Sequence, residues 1–151
     1  MALEIERKFL VDAEKIAALN LTSGEKIAQG YLSTNTDCTV RVRTKNNRGF
    51  LAVKTANVGI VRSEFEYEIP HADAVELLKI AAPFTLSKTR YKVEHAGKIW
   101  EVDIFEGRHA GLILAEVELE SPEEKVALPD WVQEEVSGNP RYYNSRLASN
   151  H

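Results

Sequence analysis

In the stretch "LEIERKFLV" at 3–11, the apolar residues Leu3, Ile5, Phe9 and Val11 alternate with Glu4, Glu6 and Lys8. Two carboxylates and an ammonium therefore share one face of a β-strand. The pattern recurs down the chain. "VRVRTK" sets Arg41, Arg43 and Lys45 on one face, "FLAVK" ends in Lys54, and "VRSEFEYEIP" aligns Arg62, Glu64, Glu66 and Glu68. "LSKTRYK" contributes Lys88, Arg90 and Lys92, "WEVDIF" Glu101 and Asp103, and "LILAEVELE" Glu116, Glu118 and Glu120. The opposite faces carry Val40 and Val42, Phe65 and Tyr67, Trp100, Val102 and Ile104, and Val117 and Leu119.

On any one strand such a face is ordinary solvated surface. Two features set this one apart. It is nearly all formal charge, and the signs are sorted by strand, which brings like charges together at a cost. If the charged faces point inward, the strands enclose a wet tunnel. Its acids are hard oxygen ligands for Mg²⁺ or Mn²⁺, and its bases match phosphate oxygens, with arginine able to bind them bidentately. The combination suits a metal-bound polyphosphate.

The elements that must position these residues follow from the same alternation. Eight strands are expected near 2–11, 27–34, 38–45, 50–55, 60–69, 84–94, 98–105 and 111–120, with turn signals such as Asn46-Asn47-Arg48-Gly49 and His95-Ala96-Gly97 between them. Short connections favour antiparallel neighbours, and closure into a barrel removes the exposed edges. Helices are expected over 12–19, capped by Asp12, over 71–81 with Val75 and Leu78 on one stripe, and in the tail. There "PEEKVAL" precedes "PDWVQEEVSG", with Pro129 near a helix start and Gly138 past its end, and a last short helix covers 142–149. The fold class is thus mainly β with some α: an eight-stranded antiparallel barrel with a charged interior, helices packed outside and at the C-terminus.

The chain has 151 residues, 44% hydrophobic and 28% charged, with a net charge of −4, which suits one domain over 1–151. The acidic balance argues against non-specific nucleic-acid binding. The single cysteine, Cys38, permits no internal disulfide, and a reducing cytoplasm is the expected home. No secretory signal and no membrane-length apolar run is visible, so no membrane partner is expected. The P-loop, the dinucleotide fingerprint and the H-E-x-x-H motif are absent. His71, His95, His109 and His151 read as surface residues, and Trp100 and Trp131 as packing anchors.

The chain resembles the CYTH-domain proteins, also called triphosphate tunnel metalloenzymes. Glu4-Ile5-Glu6-Arg7-Lys8 matches their E-x-E-x-K motif, and "QGYLS" at 29–33, "VRVR" at 40–43, "VK" at 53–54, "EFEYEIP" at 64–70, "KTRY" at 88–91, "WEVDIFEG" at 100–107, "GLILAEVELE" at 111–120 and "RYYNSRLA" at 141–148 follow in the family's order. The resemblance is greatest to short bacterial inorganic tripolyphosphatases. It implies an eight-stranded tunnel, open at both ends or partly closed by a C-terminal helix, and divalent-metal-dependent hydrolysis of a linear triphosphate, with Mg²⁺ or Mn²⁺ as the cofactor. It implies Glu4, Glu6, Glu64, Glu66, Asp103, Glu116 and Glu118 as metal ligands. Arg41, Arg43, Lys54, Lys88 and Arg90, with Arg62 on the same face, are implied as phosphate-binding residues. Lys8 is implied as the family's essential lysine, with Tyr31 as its partner, and one of Arg141 and Arg146 as reaching the tunnel. An adenylyl cyclase of class IV type, a thiamine triphosphatase and a non-enzymatic polyphosphate- or nucleotide-binding module are the alternatives within the resemblance. Oligomeric state is not readable.

Overall fold

A computed structural model of the chain describes residues 3–33, 35 and 37–149. The expected strand ends at 2 and 34, and His151, lie outside the described residues. Alternation forms the strands where it was read: β1 (Leu3–Val11), β2 (Glu25–Ser33), β3 (Cys38–Lys45), β4 (Arg48–Thr55), β5 (Val61–Ile69), β6 (Thr85–His95), β7 (Lys98–Phe105) and β8 (Ile113–Glu118). They pair antiparallel in the order β5-β4-β3-β2-β6-β7-β8-β1. The sheet closes because the start of β1 pairs back onto β5, Leu3 opposite Ser63, Glu4 opposite Arg62 and Ile5 opposite Val61. Further along, β1 leaves β5, and Glu6 to Leu10 pair with β8 from Glu118 to Leu114. The hairpin between β6 and β7 turns on Ala96 and Gly97, both at positive φ (49° and 79°), as its sequence predicts.

The tail departs from expectation. Residues 122–128 are not helical, and "PDWVQEEVSG" holds a ninth strand, β9 (Val132–Glu135), in place of the expected helix. It pairs with the C-terminal half of β1, Phe9 opposite Glu135 and Val11 opposite Val132. The reason is non-local. Where β1 splays from β5 its edge would be unpaired, and β9 supplies the missing partner.

The α-helices among the described residues are α1 (Ala13–Ala17), α2 (His71–Ala81) and α3 (Asn144–Ser149). Asp12 caps α1 by accepting from the Lys15 N–H at 3.0 Å. α2 packs on β2, β3 and β4, but its fully buried positions are Ala74 and Ala81, while Val75 and Leu78 are half-buried. The contact is close because glycines lie beneath it. A Cβ on Gly30 would come within 2.8 Å of the Ala81 methyl, and one on Gly49 within 2.7 Å of the Ala74 methyl.

The apolar faces of β1, β7 and β8 pack outward as expected, whereas Phe65 and Tyr67 on β5 are 44% and 65% exposed. Phe9, Trp100, Val102, Val117 and Trp131 form a cluster sealed by Ile16 of α1. Trp100 sits at its centre, 5.6 Å from the rings of both Phe9 and Trp131. A second cluster, including Tyr31, Leu86, Phe105, Leu114, Val136 and Leu147, seats α3 against one end of the barrel.

Candidate functional site

The charged faces of the strands point inward onto a cavity of about 510 Å³, within the range of small-molecule sites. Arg41, Arg43 and Lys54 come from β3 and β4, and Lys88 and Arg90 from β6. These five side chains are buried, between 2% and 8% exposed. Burying charge requires partners, and the barrel's acids supply them. Arg41 reaches Glu66 at 2.7 Å and Glu64 at 3.3 Å, and Arg43 reaches Glu66 at 3.0 Å. Lys54 lies 3.6 Å from Glu4 and 3.5 Å from Glu64, and Arg62 contacts Glu4 at 3.0 Å. On the other wall Asp103 receives Arg90 at 2.7 and 2.9 Å and Lys88 at 2.8 Å.

For three of these bases burial nevertheless outweighs the partners. Burial, then repulsion from Arg41 and Arg62, pushes Lys54 down to about 8. Burial pushes Lys88 down to about 8 against the pull of Asp103, with Arg90 adding repulsion. Burial and the neighbouring Arg41 lower Arg43 to about 10, so it stays protonated at neutral pH.

The acids meet in two pairs. Glu4 and Glu64 face each other closely enough that a bond between them needs a shared proton. Burial and that bond raise Glu4. Burial also pushes Glu64 up, but the bond from Glu4 with Lys54 and Arg41 beside it holds it down at about 2. Glu6 and Glu116 form the second pair: burial and the Glu116 charge raise Glu6 well above the carboxylate range. Against its own burial, Glu116 is held well below that range by Lys8, the bond from Glu6 and Arg90. Carboxylates forced together in this way bind either a proton or a cation. In this arrangement no group of three or more acids, histidines or cysteines among the described residues converges on one point. The donor chemistry nonetheless suits a hard cation between paired carboxylates.

The remaining expected residues divide. Lys8 and Tyr31 line the cavity, but among the described residues no hydrogen bond joins them. The Lys8 ammonium donates to the Tyr142 carbonyl at 3.0 Å, and the buried Tyr31 hydroxyl accepts from Gln29 Nε2 at 2.8 Å. Burial raises Tyr31, with Arg41 opposing. Glu118 lines the cavity and is exposed. Glu66 and Asp103, expected among the metal ligands, are spent on the arginines and Lys88 and do not line it.

Of the two tail arginines, neither lines the tunnel; Tyr143, Asn144 and Ser145 do. Asn144 Oδ1 accepts from Lys88 at 3.0 Å, and Tyr143 receives a bond from Asn57 at 3.3 Å across the mouth. Ser137 also lines the cavity and accepts from the Lys8 N–H at 2.9 Å. Only "RYYNSRLA" pointed to this segment, and its arginines drew attention to the wrong face. His109 is half-buried, with Nε2 2.6 Å from the Leu147 carbonyl, rather than solvated.

The profile of the CYTH domain matches residues 2–145 of the chain. The chain belongs to the CYTH domain family. Two relatives bear the name inorganic triphosphatase. That of Acetivibrio thermocellus is 43% identical over 151 residues, covering 99% of this chain and 96% of the relative. That of Nitrosomonas europaea is 35% identical over 149 residues, covering 96% of each. A crystal structure of an inorganic triphosphatase superposes on this CYTH domain with a TM-score of 0.68 at 30% identity, over 96% of this chain and 97% of the other. The Hippeastrum protein described as a putative adenylyl cyclase with dominant triphosphatase activity shares the fold, with a TM-score of 0.60 at 17% identity over 82% of this chain and 81% of its own. No helix among the described residues is long and apolar enough to cross a membrane.

Proposed function

We propose that the chain hydrolyses inorganic tripolyphosphate to pyrophosphate and phosphate in a divalent-metal-dependent reaction inside the barrel. The observation that carries this reading is the lining of one cavity of about 510 Å³, where the buried Arg41, Arg43, Lys54, Lys88 and Arg90 face Glu4, Glu6, Glu64 and Glu116. A polyanion suits the bases and a hard cation the paired acids. Arg41, Arg43, Lys54, Lys88 and Arg90 would take the phosphate oxygens, which releases Glu4 and Glu64 from their ion pairs. Glu4, Glu6, Glu64 and Glu116 would then hold Mg²⁺ or Mn²⁺. When bound, such an ion neutralises developing charge and lowers the pKa of water. Asp103, clamped between Lys88 and Arg90, aims those bases rather than binding metal, and Glu66 does the same for Arg41 and Arg43. Lys8, beside Glu116, offers its ammonium to a departing phosphate oxygen. Tyr31, kept protonated by burial, can donate its hydroxyl hydrogen. Positioning and electrostatics of this kind supply most of the acceleration in phosphoryl transfer.

The test is phosphate release from tripolyphosphate, ATP and thiamine triphosphate with Mg²⁺ or Mn²⁺, alongside an assay for cyclic AMP. Tripolyphosphate is expected to be the preferred substrate, and Glu6→Gln to lower its turnover at least ~100-fold with the fold intact by circular dichroism. Preference for ATP with cyclic AMP as product would reject the reading, and unchanged turnover in Glu6→Gln would remove that residue from the site.

A further inference from the structure

The arginines of "RYYNSRLA" are not used by the tunnel. They face a second cavity of about 340 Å³ on the outer side of the same segment, lined by His109, Arg141, Tyr142, Arg146, Leu147 and Ser149. Among the described residues no Asp or Glu lines it. The sequence explains why: after Glu135 the chain contains no Asp or Glu through residue 151. The nearest acid of the adjoining turn, Glu106, is occupied by Lys26 at 2.7 Å and Thr89 at 2.8 Å.

The contrast with the rest of the molecule is sharp. Arg7, Arg41, Arg43, Arg48, Arg62 and Arg90 each have a carboxylate within ion-pair distance. Arg108 donates to the Thr85 and Ala148 carbonyls at 2.8 and 2.7 Å, and so stiffens the rim of this corner. Arg141 and Arg146 have no acid within that distance among the described residues; Arg141 lies against the Tyr142 ring, 5.8 Å from its centroid. On a chain of net charge −4, un-neutralised positive charge is thus gathered at one concave site. His109 is fixed at the cavity wall by Nε2 against the Leu147 carbonyl.

We infer that this corner is a second anion site, separate from the tunnel, for a free phosphate-type anion, diphosphate above all. Two guanidiniums presenting paired N–H donors match the oxygens of such a group, and a concave wall of Tyr142 and Leu147 lowers the local dielectric and strengthens the attraction. The site shares a backbone with the tunnel. Tyr142, which lines the outer cavity, gives its carbonyl to Lys8 at 3.0 Å, and the next two residues line the tunnel. An anion held outside therefore fixes the segment that anchors Lys8 and Lys88.

The experiment is a titration of ¹⁵N-labelled protein with sodium pyrophosphate in EDTA, followed by NMR, in wild type and R141Q/R146Q. Because it involves no turnover, its outcome is separate from that of the hydrolysis assay. The Nε–Hε signals of Arg141 and Arg146 and the amides of 108–109 and 145–147 should shift together on one saturable isotherm. In R141Q/R146Q, which alters only exposed side chains, the amide shifts at 108–109 and 145–147 should weaken at least tenfold while those of the tunnel strands persist. Shifts confined to the tunnel strands, shifts unchanged in the variant, or the same shifts with sodium chloride at equal ionic strength would each overturn the inference.

Discussion

Replacing Asp103 by Asn isolates the electrostatic balance of the tunnel wall. One carboxylate, 1% exposed, takes Arg90 through two bonds of 2.7 and 2.9 Å and Lys88 at 2.8 Å. Asparagine keeps the shape but removes the charge and turns one acceptor into a donor facing a cation. Lys88 and Arg90 stay behind, 2% and 8% exposed. Breaking a buried pair by removing one partner costs about 3–5 kcal/mol, and Asp103 serves two cations, which places the loss in the upper part of that range. For a domain of this size each kcal/mol moves Tm by about 2–4 °C, so the expected fall is ~10–20 °C. Urea denaturation measures the free energy, and scanning calorimetry the shift. Tripolyphosphate should restore more stability to Asp103→Asn than it adds to wild type, since it supplies the missing negative charge. K88M/D103N should recover part of the loss by removing one stranded cation. A destabilisation below about 1 kcal/mol, or equal stabilisation of both proteins by tripolyphosphate, would refute this account of the wall.

Protonation gives a second prediction. Lys54 and Lys88 titrate near 8 in the fold against 10.5 unfolded, so between those values the unfolded chain binds more protons and stability rises with pH. A triphosphate favours the ammonium forms. Its binding near pH 8.5 should take up protons, seen as buffer-dependent heats in calorimetry; proton release would contradict it. Gly49→Ala should cost about 1–3 kcal/mol, because the new methyl meets the Ala74 Cβ at 2.7 Å; an unchanged urea midpoint would show that α2 yields. The Arg7–Glu135 pair is bidentate at 2.7 and 2.9 Å, yet its side chains are 25% and 38% exposed. A double-mutant cycle should return less than about 1 kcal/mol, several-fold below the effect at Asp103.

Alternation made β1 to β8 legible, because a strand with one buried apolar face must write a period of two into its sequence. Sorted charge signs made the inward face legible as well. What stayed hidden depends on residues far apart in the chain. β9 reads locally as a helix between Pro129 and Gly138; only the gap beside β1 makes it a strand. The stripe of α2 suggested Val75 and Leu78; Leu78 does face Gly30, but the closest approaches to Gly30 and Gly49 are made by Ala81 and Ala74. The sequence showed which carboxylates share a face, but not that Glu4 would join Glu64 and Glu6 join Glu116, nor that Asp103 would be consumed by Arg90. Asn144 carries no charge, so nothing marked it as the partner of Lys88.

The seam of the barrel has a consequence for biogenesis. Of these nine strands β1 leaves a ribosome before the others, yet its partners are residues 61–63, 114–118 and 132–135. Pairings this distant in sequence form late, since the intervening loop must be closed first. Until β8 emerges, Glu6 has no Glu116; until the tail emerges, Lys8 has no Tyr142 carbonyl. A nascent or truncated chain ending before β9 therefore lacks the Lys8 anchor, although β3 to β5 and β6 to β7 already join Arg41 to Glu66 and Arg90 to Asp103. The tunnel is complete when β5, β8 and β9 meet across β1, which makes its chemistry a property of the whole barrel.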